Sequence, residues 1–117
     1  MPAAMTGTPG VCLPGSESGD GFFPLTGGTV YAGRAAKCAL RFAPETPGVS
    51  AVHCAVRWDA QRRCFAVRDM GSANGTCLET GMRLQPNRLY RMLPGDVIFL
   101  GGPEHSLRME WRENNEN

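Results

Sequence analysis

Residues 52–59 and 64–69 form two alternating runs separated by a four-residue break, and no other feature limits the fold as tightly. In the first run Cys54, Val56 and Trp58 fall on one side, and His53, Ala55, Arg57 and Asp59 on the other. In the second, Phe65 and Val67 share the side that would face a core. A period of two is what a half-buried antiparallel strand requires, because successive β-carbons leave opposite faces. Ala60-Gln61-Arg62-Arg63 makes the turn between them. A lone hairpin is marginal in water, so the rest of the chain must supply more sheet.

Glycine and proline, 15 and 9 among 117 residues, leave little room for long helices and suit short strands with tight turns. Gly10 to Pro14 reads as an edge strand, with Gly21 to Leu25 as its hairpin partner across Gly15–Asp20. Thr29 to Gly33 and Leu40 to Phe42 are short strands flanking a loop over Ala35–Cys38. Cys77-Leu78, Arg83-Leu84 and Arg88-Leu89 are further short strands, punctuated by Gly81 and Pro86. Pro94-Gly95 turns the chain into the apolar strand 96–100, and Leu107, Met109 and Trp111 alternate with polar residues. The pattern predicts an all-β sandwich of about eleven short, mostly antiparallel strands. Residues 1–9 are expected to be a flexible segment, 10–112 the domain and 113–117 a disordered tail.

Twelve basic and eleven acidic residues give a net charge of +1, which argues against a nucleic-acid or membrane-surface footprint. A local pocket for one anion remains compatible with that balance. No apolar run reaches the length of a membrane span, and no secretory signal pattern opens the chain. The five cysteines, at 12, 38, 54, 64 and 77, have no metal-site spacing. They read as reduced, mostly buried thiols of a cytoplasmic protein, and no metal or cofactor is implied.

Three loop segments hold polar residues that the strands leave unexplained. They are Gly33-Arg34, Ser50-Ala51-Val52-His53, and the loop from Asp69 to Thr76 containing Ser72-Ala73-Asn74-Gly75. Arg34 and Ser50 are 16 apart, His53 follows Ser50 by three, and Asn74 follows His53 by 21. Asn74-Gly75-Thr76 also matches a glycosylation acceptor, but without a signal it is first a turn. A guanidinium at a strand end suits a phosphorylated side chain, which brings about −1.5 to −2 charge and three acceptor oxygens. Ser50 adds a hydroxyl donor, and its loop adds backbone N–H groups.

In that order and spacing the chain resembles the forkhead-associated family, from about Val11 to Trp111. The likeness includes a leading Gly15, Gly19, Phe22 pattern and the late run Leu93-Pro94-Gly95-Asp96-Val97-Ile98. The resemblance implies that Arg34 and Ser50 hold a phosphate and that Asn74 bonds the backbone of the bound peptide. It implies structural roles for Gly33, His53, Asp69, Gly75 and Thr76 at a site built from loops at one end of the sandwich. The partner so implied is a Thr-phosphorylated protein or peptide, a product of a Ser/Thr kinase, with no nucleic acid and no membrane. Ala51 and Ala73 stand where the family often has extra donors, and Lys37 is a candidate accessory charge, as is Arg41. Threonine would be told from serine by one methyl in an apolar slot, with Val52 or the neighbours of Asn74 as candidate lining.

Two other readings compete. One keeps the fold but makes it an interaction or self-association domain that no longer requires phosphorylation, motivated by Ala51 and Ala73. The other is a hydrolase using His53, which needs a nucleophile in reach. Cys54 adjoins His53 in sequence, but its side chain leaves the opposite face of the strand.

Overall fold

The computed structural model describes residues 6–14 and 21–113. Ten strands run in chain order: β1 (Gly7–Cys12), β2 (Phe22–Pro24), β3 (Val30–Gly33), β4 (Leu40–Arg41), β5 (Cys54–Asp59), β6 (Cys64–Asp69), β7 (Thr76–Leu78), β8 (Leu89–Met92), β9 (Val97–Leu100) and β10 (Ser106–Glu113). They form two five-stranded sheets, ordered β2-β1-β10-β9-β7 and β4-β3-β5-β6-β8. Every pairing between strands is antiparallel except β3 with β4, which is parallel. The expected all-β sandwich is what the chain forms.

The alternating runs become the hairpin β5–β6, paired from Cys54↔Asp69 to Asp59↔Cys64. Its turn is shaped by Asp59, whose Oδ1 accepts from the amides of Gln61 and Arg62, and by Arg63 at φ 53°. Val56, Phe65 and Val67 face the other sheet and meet Val11, Ile98, Leu100, Leu107 and Met109 in one core. Each fully buried side chain of this size contributes about 1.5–3 kcal/mol. At the hairpin end Trp58 meets Phe65 edge-on at 5.0 Å and Trp111 at 5.4 Å.

Several expectations shift in detail. β1 begins at Gly7 and β10 runs to Glu113, so both strands reach past the expected span of 10–112. β1 is not an edge strand; it lies between β2 and β10, and β2 takes the edge. Its glycines sit under rings: a β-carbon at Gly7 would lie 2.4 Å from the Trp111 Nε1, and one at Gly10 2.3 Å from the Phe22 ring. What reads as loop composition is therefore space for aromatic cover. Arg83-Leu84 forms only an isolated bridge, Cys77↔Arg83, after the tight turn at Gly81 (φ 91°). Leu84 is nonetheless buried and anchors the connection through its amide to the Thr76 carbonyl at 2.8 Å. The expected hairpin loop at 15–20, with Gly15 and Gly19, lies outside the described residues, as do 1–5 and 114–117.

Candidate functional site

The end of β3, the loop entering β5, the loop leaving β6 and the turn after β9 converge at one end of the sandwich. Gly33 permits this. A β-carbon there would lie 2.3 Å from the Ala51 carbonyl oxygen and 2.9 Å from that of Ser50. The strand end thus packs directly on the backbone of the next loop, with the Arg34 amide donating to Ser50 O (3.2 Å) and the Ala35 amide to Ala51 O (2.9 Å). Gly33 serves close approach rather than flexibility.

Arg34 leaves this junction half-buried. Its Nε donates to Val49 O at 2.5 Å and its Nη1 to Pro44 O at 2.8 Å. A guanidinium has five N–H donors, so this bracing leaves others to face outward. The Ser50 Oγ accepts from the Ala73 amide at 3.0 Å, which ties the second loop to the third and leaves the hydroxyl hydrogen to donate elsewhere. Asn74 is exposed and spans back to the second loop, its Nδ2 donating to Gly48 O at 3.2 Å.

Beneath these three lies His53, buried completely. Its Nδ1 accepts from the Ser50 amide at 3.0 Å, and its Nε2 lies 2.8 Å from the Gly75 carbonyl oxygen. A carbonyl only accepts, so Nε2 carries the hydrogen and the ring is neutral. Burial lowers the pKa of His53, against opposing pulls from the Gly75 carbonyl and the Asp69 charge. Both ring nitrogens are occupied in joining loops, which leaves neither to abstract a proton from a nucleophile.

Asp69 organises the third loop from inside. Its Oδ2 accepts from the amides of Gly71 (2.9 Å) and Ser72 (3.0 Å), and its Oδ1 from the hydroxyls of Ser72 (2.6 Å) and Thr76 (2.7 Å). Burial pushes this carboxyl up, but the hydrogen bonds together outweigh it and hold Asp69 below the usual carboxylate range. Ser72 relays the bracing, its Oγ accepting from the Gly75 amide at 3.0 Å. Gly75 turns at φ 87°, and its carbonyl accepts from both His53 and the Gly101 amide (2.9 Å).

Ala51 and Ala73 present exposed methyl groups at the rim. Lys37 leans the other way, its Nζ 5.6 Å from the centre of the Tyr31 ring. Four participants lay outside the expected set of site residues. Ser72 was signalled by its place three residues after Asp69. Gly48 and Gly101 cross so closely that a β-carbon on Gly101 would lie 2.0 Å from the Gly48 carbonyl oxygen, a contact that nothing local in the sequence announces. Arg83 covers Gly75, where a β-carbon would lie 2.4 Å from the Arg83 Nε.

The neutral, buried His53 has a pH consequence. Where an ordinary imidazole titrates, near pH 6.5, the unfolded chain takes up a proton that the folded chain resists, so stability falls as pH falls. The melting temperature should drop between about pH 7.5 and about pH 5.5. In His53→Ala it should start lower and drop less; parallel profiles for the two proteins would contradict this account of His53.

The comparisons with known proteins bear on this geometry. A family model described as FHA domain matches residues 30–101. The chain belongs to the FHA domain family. Among curated proteins no relative matches. Among solved structures, the chain is similar to an FHA domain analysed for phosphothreonine-dependent interactions, with 27% identity, a TM-score of 0.67 and coverage of 88% of this chain and 95% of that one. It is likewise similar to the MEK1 FHA domain in complex with a phosphothreonine peptide of HOP1, with 26% identity, a TM-score of 0.69 and coverage of 92% and 98%. An FHA domain of an Arabidopsis thaliana hypothetical protein superposes with a TM-score of 0.74 at 23% identity, covering 100% of this chain and 96% of that one. FHA domains are interaction modules rather than enzymes. No helix among the described residues is long and apolar enough to cross a membrane.

Proposed function

We propose that this FHA domain binds phosphothreonine in partner proteins, with Arg34 and Ser50 holding the phosphate and Asn74 bonding the peptide backbone beside it. The observation that carries this reading is the meeting of the three loops. Arg34 retains outward donors, Ser50 retains its hydroxyl hydrogen, and both are held by backbone bonds rather than by acidic side chains. A phosphate arriving there displaces no carboxylate. Two structural relatives at 26% and 27% identity come from work on phosphothreonine recognition, which supports the same chemistry.

His53, Asp69, Gly33, Gly75 and Thr76 support the loops in this reading, and none acts on a substrate. Ala51 and Ala73 add no donor, so affinity rests on few groups and stays in the micromolar range, about −8 kcal/mol. Lys37 contributes at most long-range potential. The partner is made by a Ser/Thr kinase, and the buried free thiols suit the reducing cytoplasm.

Selectivity tests the reading. One methyl distinguishes phosphothreonine from phosphoserine, worth about 0.8 kcal/mol when simply buried and about 1–3 kcal/mol in a tight slot. Titrating matched degenerate peptide libraries should show phosphothreonine preferred by a few-fold to roughly a hundredfold. Equal binding of phosphothreonine, phosphoserine and unphosphorylated libraries would instead install the phosphorylation-independent module that the methyls of Ala51 and Ala73 suggest.

A further inference from the structure

The second sheet has an outward face that the binding loops do not use. Ala32, Cys54, Val56, Phe65, Val67 and Met92 are in the core, with Val30 and Tyr90 packed against it, so the alternate positions of β3, β5, β6 and β8 point to solvent. Register sets them in two rows across the sheet. One runs Tyr31, Ala55, Arg68, Leu89 and the other Arg57, Ala66, Arg91. The result is a hollow of about 130 Å³ lined by Tyr31, Ala55, Arg57, Ala66, Arg68 and Leu89. Its floor is the methyls of Ala55 and Ala66, only 7% and 3% exposed although they face outward, and its rim includes Leu89, 42% exposed.

Charge on this face is segregated. The only acidic residues on the strands of this sheet are Asp59 and Asp69. Asp69 is buried under its own hydrogen bonds, and Asp59 lies at the far end, paired with Arg62 at 3.3 Å. On the opposite sheet, ion pairs join Arg108 and Arg112 to Glu110. Among the described residues, Arg57, Arg68 and Arg91 therefore have no carboxylate partner. A domain of net charge +1 thus gathers three uncompensated guanidiniums on one face, Arg57 and Arg68 lining the hollow and Arg91 paired in register with Ala66 of its floor.

We propose that this face docks an acidic segment of a partner protein, which seats one aliphatic side chain on the Ala55–Ala66 floor and its flanking carboxylates against Arg57, Arg68 and Arg91. Guanidinium forks match carboxylates bidentately, and the hollow has room for one such side chain. A second copy of the same face would bring cation against cation. Single-stranded nucleic acid would need open aromatic platforms, whereas the Tyr31 ring is covered by the Lys37 ammonium at 5.6 Å. Met70, the first residue of the third loop, also lines the hollow, so this surface continues from the binding loops. A partner can occupy both at once and gain avidity. The inference does not depend on phosphothreonine recognition.

The probe is an unphosphorylated peptide, Glu-Asp-Glu-Leu-Glu-Asp-Glu, titrated into the isotope-labelled domain while backbone amides are followed by NMR. Shifts should cluster at Tyr31, Ala55, Ala66 and Arg68. The double variant Arg57→Glu, Arg68→Glu should bind roughly tenfold or more weakly, and a peptide with alanine in place of leucine should bind several-fold more weakly. Because the clustering is read on the wild type, the proposal stays testable if the double variant folds poorly. Shifts confined to Arg34, Ser50 and Asn74 would overturn it by placing the carboxylates in the loop site. So would tighter binding of a short oligothymidylate, or absence of saturable binding.

Discussion

Arg34→Ala is expected to weaken binding of a phosphothreonine peptide about a hundredfold or more, with only a modest loss of thermal stability. A hydrogen bond to a charged group contributes about 1.5–3 kcal/mol, and a guanidinium facing a phosphate makes more than one. Two such bonds correspond to roughly a hundredfold or more in affinity. The stability cost is smaller because, of the two bonds lost inside the protein, that to Pro44 O is exposed to water and only that to Val49 O is partly buried. Arg34→Lys should recover part of the binding, since it restores charge without the planar fork. Calorimetric titration of the three proteins with one peptide reads this directly. Affinity within about twofold of wild type for Arg34→Ala would remove Arg34 from the phosphate site.

Asp69→Ala is expected to cost the most stability of any single change at the site. It strips partners from two backbone amides and two hydroxyls, and those of Ser72 and Thr76 are buried. Each buried polar group left unmatched costs about 1–3 kcal/mol, so the total is about 3–5 kcal/mol once water and relaxation recover part. For a domain of this size that lowers the melting temperature by roughly 10–20 °C. Peptide affinity should fall with it, because Ser72 also holds the Gly75 amide and Ala73 is tied to Ser50. Because the Asp69 pKa lies below its ordinary value, its stabilisation is complete above the carboxylate range. It disappears as pH falls through the folded-state pKa. A melting temperature unchanged in Asp69→Ala would show that the loop is held by other means.

These two residues also show what was legible in the sequence. Arg34 and Asp69 stood out because polar residues at strand ends have no packing reason to be there, and their spacing to Ser50, His53 and Asn74 matched a known arrangement. The β5–β6 hairpin was legible because alternation is a local signal and its two faces differ sharply in polarity. β1 reads as a short edge strand starting only at Gly10 because residues 1–9 are small and turn-rich, and only the Trp111 and Phe22 rings explain Gly7 and Gly10. The parallel pairing of β4 with β3 rests on two registered residue pairs, too few to leave a periodic trace. Crossings such as Gly48 with Gly101 join distant segments through backbone alone and carry no side-chain signature. Lys37 looked like a neighbour of the phosphate loop by sequence distance, but its ammonium lies over Tyr31, a residue of the open sheet face.

The central claim is that the loop site reads a phosphate on threonine. One phosphothreonine peptide selected from the library, titrated by calorimetry before and after phosphatase treatment, tests it most directly. Micromolar binding, about −8 kcal/mol, that vanishes on dephosphorylation is the predicted result. Binding of the same strength by the dephosphorylated peptide would contradict the account.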